Sequence, residues 1–426
     1  MLGDAGPMKG RNPWTGYQWA MLGLLFLSGV FAHMDRVSIS VVMPTLIEEF
    51  HLTKAAAGWL LSAFNWAYAL SLLAAGPLVD WLKPRIIYPA GVGLWSAATI
   101  ACGLSSHAGP LAAFRVLLGI GEAAYIPSGA KVISRIYRKD DRAKVVGVFF
   151  AGNRVGLTLG VPLAALVLHA WGWNYVFFVA GGISLLWLAL WLPIYRETRG
   201  VLEPGVAEVR PPGVTWASLL RHRSTWALVL GHAGYLYMYY VFVTWLPSYL
   251  ILQRHMSVLR TGVVGMLPFL VMVATTILGG WAADRLIRAR HDTTRVRKLF
   301  AVGGLFLATG FVAAAAYAEA TVPAVTLLIL SMGCLSLTTA NVNAMPIDLA
   351  PRHIVSSLTS LQNFGGNVGG ALGPVITGIL FGATGDFRVP LLVTGAVALV
   401  FGGGAYGLLM GRLEPTIGIG GGQPKA

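Results

Sequence analysis

Apolar residues run along the chain in blocks of about 20, separated by short polar breaks, which is the length an α-helix needs to cross the hydrocarbon core of a bilayer. Twelve such blocks lie near residues 18–43, 55–78, 86–105, 110–134, 144–168, 174–195, 225–251, 261–283, 298–318, 323–347, 355–382 and 389–410. They predict an all-α membrane protein of twelve transmembrane helices. The first block is long, carries Asp35 and Arg36 and lacks a convincing cleavage site, so it reads as a first span and not as a signal peptide.

The pattern repeats halfway. After the second span come Gly76, Asp80 and Arg85, and after the eighth come Gly280, Asp284 and Arg285, with Asp284 standing 204 positions beyond Asp80. GNRVGLTLGVP in the fifth span is similar to GNVGGALGP in the eleventh, and pairing Asn153 with Asn367 gives a shift of 214. Duplication of this kind predicts two six-helix halves with a solute site between them near the midplane, the build of a secondary transporter. We place the halves at residues 1–195 and 225–412, joined by a polar linker over 196–224 that contains Glu203, Pro204, Pro211 and Pro212. The glycine-rich tail over 413–426 is expected to be disordered.

Composition agrees. A chain that is 56% hydrophobic and 11% charged, with a mean hydropathy of +0.69, is not a soluble globular protein. A net charge of +14 is compatible with a nucleic-acid partner, but its distribution points to topology. Counted by loop, 23 Lys and Arg fall on the side that holds the N-terminus, and only Lys54, Arg254, Arg260 and Arg388 fall on the other. By the positive-inside rule both termini are cytoplasmic, which for a bacterial protein means the cell inner membrane, with no nucleic acid bound. Some of the basic residues are free to meet anionic lipid. Cys102 and Cys334 lie inside spans without metal or redox spacing, and there is no HExxH, metal-ligand cluster or plausible Ser/His dyad. An enzyme, a cofactor and a metal are therefore not expected, and the chain is expected to act as a monomer.

The chemistry sits where charge enters the bilayer. A charge at the membrane centre costs about 2.5 kcal/mol or more, so it persists only where it faces a polar cavity or a partner. In LAAFRVLLGIGEAAYIPSGAKVIS of the fourth span, Arg115 and Glu122 stand seven apart, two turns along one face with Gly119 between them, and Lys131 follows. In FAHMDRVSIS of the first span, Asp35 and Arg36 point about 100° apart and can serve different partners. Arg154 stands mid-span among Gly152, Gly156 and Gly160, spaced for close helix approach. The second span offers Tyr68. The aromatic seventh span presents His232, Tyr235 and Tyr239 on one face, the tenth supplies Asn341 and the eleventh Asn363 and Asn367. Amides inside a bilayer serve either as solute ligands or as bonds between helices. Arg36, with a planar fork that matches a carboxylate, is the expected substrate contact, and Arg154 the expected contact for a second anionic or polyhydroxyl end.

Twelve spans, the duplicated turns, the mid-chain linker and the glycines of span five resemble the major facilitator superfamily. MDRVSIS, RVLLGIGEAAYIPSGAKVISRIY, WGWNYVFFVAGGISLLWLALWLPIYRE and VTWLPSYL are similar to segments of its anion:cation symporter family, which includes bacterial carriers for galactonate, glucarate, hexuronates, tartrate and phthalate. The resemblance implies proton-driven uptake of a carboxylate. It also implies Asp35 and Glu122 as coupling acids, with Arg36 and Arg115 on the substrate or paired with those acids. Three residues depart from the pattern: His33 where a tyrosine is frequent, Trp81 where a basic residue is usual, and Arg154 where a small or polar residue is common. The leading expectation is proton-coupled symport of an organic anion by alternating access. The runner-up is an exchanger of organophosphates or carboxylates. A drug–proton antiporter is disfavoured, because four cations within the spans oppose a cationic drug.

Overall fold

The structure, a computed structural model, describes residues 14–196, 219–349 and 352–413. Most of the expected linker and all but the first residue of the expected tail lie outside the described residues. Each apolar block forms a helix. We number them α1 (Gly16–Glu49), α2 (Lys54–Trp81), α3 (Pro84–Gly103), α4 (Ala108–Ile136), α5 (Lys139–Trp171), α6 (Trp173–Ile194), α7 (Arg223–Gln253), α8 (Val258–Arg288), α9 (Thr293–Tyr317), α10 (Thr321–Leu349), α11 (Arg352–Thr384) and α12 (Arg388–Leu409). Three of them depart from the plain helices expected, α7 among them, whose α-helix ends at Ser248 and closes on a π turn over Tyr249–Gln253. The ladder of α4 is interrupted between Ala108–Glu122 and Tyr125–Ile136, because Pro127 has no N–H and its ring collides with the carbonyl four residues back, that of Ala123. In α12 the α-helix ends at Val397 and wider π turns carry the chain onward.

Twelve crossings bring both chain ends to one face. There Gln18 Nε2 donates to the carbonyl of Ile136 at 3.1 Å and Tyr17 Oη to that of Arg196 at 3.1 Å, tying the start of α1 to the ends of α4 and α6. At the other chain end, the amide of Leu413 donates to Thr294 Oγ1 at 3.0 Å.

Inside each half the central pair of helices is held together by one device. Gly152, Gly156 and Gly160 of α5 lie, turn by turn, against the backbone of α1 at Phe26, Val30 and Met34, where a Cβ would overlap main-chain atoms. Gly365, Gly369 and Gly373 of α11 lie in the same way against Val229, Ala233 and Tyr237 of α7. Without a hydrophobic drive between helices in lipid, such close approach supplies the dispersion contact that binds them. The two glycine rows are 213 positions apart (365 against 152), and the residues they meet are 203 apart (229 against 26), a shift that also pairs Pro44 with Pro247. The packing corrects the register read from the sequence. Asn367 is the counterpart of Arg154 and not of Asn153, because the glycine faces fix which residues turn toward the partner half.

The halves meet through a related pair of contacts. Near the face away from the chain ends, Gly58 of α2 abuts Pro374 and Gly378 of α11, and Gly262 of α8 abuts Pro162 and Ala165 of α5. Gly58 and Gly262 are 204 apart and Ala165 and Gly378 are 213 apart, so these are two copies of one interaction. Ser62 Oγ adds a hydrogen bond to the carbonyl of Ala371, and the Lys54 ammonium lies 5.4 Å from the Phe381 ring centroid. The halves are therefore latched together from the midplane outward to that face.

Candidate functional site

Small residues bring the acid of α4 into the centre. Gly119 rests on the backbone of α2 at Phe64 and Tyr68, and Gly121 on that of α3 at Gly91 and Trp95, so Glu122, last residue of the first α4 segment, is driven into the interior with no exposed surface. There it meets Arg36. The guanidinium Nε donates to Glu122 Oε2 at 2.8 Å and Nη2 reaches the same oxygen at 2.6 Å, while Nη1 donates to Tyr240 Oη on α7 at 3.3 Å. The Arg36 guanidinium carbon lies 4.8 Å from the Phe64 ring centroid and 4.7 Å from that of Tyr68. Arg36 is 9% exposed, so it touches the interface between the halves while its charge is bound within the N-terminal one.

Asp35 turns away from its neighbour, as the 100° offset requires. Its Oδ2 accepts from Ser184 Oγ of α6 at 3.3 Å. The Arg115 guanidinium carbon lies 5.2 Å from the Phe64 ring centroid, and among the described residues Arg115 forms no ion pair. The result is a formally neutral cluster of two acids and two guanidiniums, deep in the N-terminal half, that is under-bonded. Among the described residues, Asp35 Oδ1, Glu122 Oε1 and Arg115 Nε and Nη1 have no hydrogen-bond partner. Buried polar atoms without partners are costly.

Arg154 is different. It is half-buried, its guanidinium carbon lies 5.8 Å from the Tyr239 ring centroid, and among the described residues no carboxylate comes within ion-pair distance and no acceptor takes a hydrogen bond from it. His33 is buried nearby, with Nδ1 placed to donate to the Gly29 carbonyl at 3.2 Å. On α7, His232 stacks on Tyr235 at 5.5 Å, and Tyr235 Oη shares a 2.7 Å hydrogen bond with Thr339. Asn363 and Asn367 each turn Nδ2 back to the carbonyl four residues earlier, at 2.9 Å, which leaves their side-chain carbonyls uncommitted.

Several expected residues lie elsewhere. Asn153 accepts from Tyr125 Oη at 2.8 Å between α4 and α5. Asn341 accepts from Arg297 at 3.0 Å, and Arg297 also pairs with Asp348 at 3.1 Å and Asp284 at 3.7 Å, so this amide belongs to an ion-pair cluster near the chain-end face. Lys131 donates to the Val79 carbonyl at 2.6 Å, at the chain-end side of α2. Arg85 is exposed, Arg285 lies 5.4 Å from the Trp281 ring, and Gly280 meets Ala340 while its neighbour Gly279 makes the tighter approach to Leu337. The surroundings of Gly76 and Asp80 lie outside the described residues. The sequence reading missed Tyr240, Phe64 and Ser184. Tyr240 follows Tyr239 in YLYMYY, and a stripe chosen as His232, Tyr235 and Tyr239 places it off the face.

The family model described as Major Facilitator Superfamily matches residues 25–374 and 290–420. The chain belongs to the major facilitator superfamily. It is a multi-pass membrane transporter and not an enzyme. The "Probable L-galactonate transporter" of Escherichia coli strain K12 is 30% identical over 89% of this chain and 86% of its own length. The "D-galactonate transporter" of Escherichia coli O6:H1 is 29% identical over 93% of this chain and 96% of its own. The crystal structure of a bacterial homolog of the human lysosomal transporter Spinster, inward-facing and occupied, superposes with a TM-score of 0.82 at 20% identity, covering 93% of this chain and 97% of that one. That likeness shows the fold.

In this facilitator, removing one member of the Arg36–Glu122 pair strands a buried charge, a loss of about 3–5 kcal/mol, whereas replacing both with apolar residues of similar volume is close to neutral. Glu122→Met should therefore lower the thermal midpoint of the detergent-purified protein more than the double variant Arg36→Met/Glu122→Met does. A double variant no more stable than the single one would show that the pair is not what satisfies Arg36.

Proposed function

We propose that the chain imports an organic carboxylate, a sugar acid or a dicarboxylate, together with protons across the cell inner membrane, with both termini in the cytoplasm. The relatives named for galactonate support the substrate class. The observation that carries the coupling is that Glu122 occupies the fork of Arg36. Two charge-assisted bonds to a single oxygen make the guanidinium unavailable while Glu122 is ionised. A proton on that oxygen removes the negative charge and releases Arg36 to a substrate carboxylate. Proton and anion then bind together, because each makes room for the other. An exchanger working without protons would need Arg36 free in the empty carrier, and its pairing with Glu122 favours symport.

Neutralising Glu122 also removes a buried charge before the loaded carrier reorients. Asp35, beside Arg115 and Ser184, is the candidate for a second proton, which would make uptake of a monoanion electrogenic. The field then contributes about 2.3 kcal/mol per net charge per 100 mV. Reorientation is a rocking of the halves 1–195 and 225–412 about the site. The latch at Gly58–Gly378 and Gly262–Ala165 closes the side away from the chain ends in the present state.

The topology rests on the 23 to 4 division of basic residues. A reporter active only in the periplasm, fused after Gln423, should be silent, and high activity there would reverse the orientation. Coupling is tested by Glu122→Gln in proteoliposomes, since the amide keeps the shape but does not titrate. Proton-driven accumulation should vanish while substrate counterflow persists. Intact proton-driven accumulation would move the role to Asp35 or His33.

A further inference from the structure

Cations and acids around the interface do not balance. Arg36 is matched by Glu122, and the buried Asp35 and Arg115 add one acid and one guanidinium. Arg154 is left over, a half-buried guanidinium between the halves that has an aromatic face at 5.8 Å and, among the described residues, no anion. A cation–π contact leaves the charge of Arg154 in place. Among the described residues the site thus carries a positive charge with no acid against it.

The two guanidiniums border the same turn of α7. Arg154 lies over Tyr239 and Arg36 donates to Tyr240, adjacent residues whose ring centroids are 5.3 Å apart, and His33 feels the charge of both. The duplication places them symmetrically. By the shifts of 203 and 213, the counterpart of Arg36 is Tyr239 and that of Arg154 is Asn367, so α1, α5, α7 and α11 each present one of these four residues at corresponding positions.

We infer that the site is built for a dianion: one carboxylate docks on Arg154, which is free at rest, and the other on Arg36 once a proton has displaced it from Glu122. This rests on the proposed carrier and names its substrate class. The charges then close. Arg36 and Arg154 contribute two positive charges, a protonated Glu122 none, and a dianion two negative ones, so the loaded site is neutral. A monoanion on Arg36 leaves Arg154 unmatched. Arg154 thereby sets specificity through a second charge-assisted bond, and it takes no part in proton transfer.

Galactonate and galactarate make a matched pair of probes, since they share a polyhydroxyl chain and differ in the second carboxylate. In the full-length protein in detergent, galactarate should bind at least about tenfold more tightly than galactonate. In Arg154→Gln the preference should be lost, with galactarate weakening about tenfold more than galactonate does. Arg154→Lys, which keeps the charge but not the fork, should retain part of the preference. Equal binding of the two acids by the unmodified protein would overturn the inference, as would an Arg154→Gln variant that weakens both alike. If galactonate is accumulated with protons and galactarate has no advantage, the carrier reading stands and the dianion reading falls. If neither acid binds, both fall.

Discussion

Charge in hydrocarbon is the constraint on which this molecule is built. Arg36 and Glu122 are both buried among the helices, and among the described residues each is the other's only opposite charge within ion-pair distance. The pair is nonetheless incomplete, since among the described residues Glu122 Oε1 has no partner and Arg36 is shared with Tyr240 across the interface. A fully satisfied pair would be a staple. In the proposed cycle an under-satisfied one, touching the boundary between the two halves, exchanges its partner for a proton and an anion.

What places that pair is backbone approach and not a polar network. Glycines at every fourth residue of α5 and α11 lock the central helices α1 and α7, and two more on α4 carry Glu122 between α2 and α3. Two copies of one inter-half contact, Gly58 on Gly378 and Gly262 on Ala165, latch a single face. A contact of backbone against backbone has few intermediate arrangements, so a latch of this kind is either closed or open. Duplication therefore supplies both the symmetry of the site and the means of exposing it to one side at a time.

The helices were legible because lipid demands about 20 apolar residues per crossing, and that demand does not depend on tertiary detail. Buried charge was legible for the same reason, since Asp35, Arg36, Arg115, Glu122 and Arg154 stand out against an apolar background. Their partners were not. Spacing put Arg115 and Glu122 on one face, yet Glu122 pairs with Arg36 from another helix, because the approach of α4 to α2 is decided by Gly119 and not by the seven-residue interval. Amides were ambiguous in principle. Asn341 and Asn367 look alike in sequence, and only the packing shows that the first holds Arg297 while the second bonds back to the carbonyl of Asn363 in its own helix. The register between the halves slipped by one for a similar reason, since matching Asn153 to Asn367 follows the letters and the glycine rows follow the contacts.

The central claim is that substrate and proton enter together by way of the bond between Arg36 and Glu122. Infrared difference spectra of the purified protein with and without galactonate address it directly, because a protonated carboxyl has a carbonyl stretch that a carboxylate lacks. The account predicts a protonated-carboxyl band that appears on binding and is missing from Glu122→Gln. Binding that leaves the carboxyl region unchanged, or a band that survives in Glu122→Gln, would contradict it.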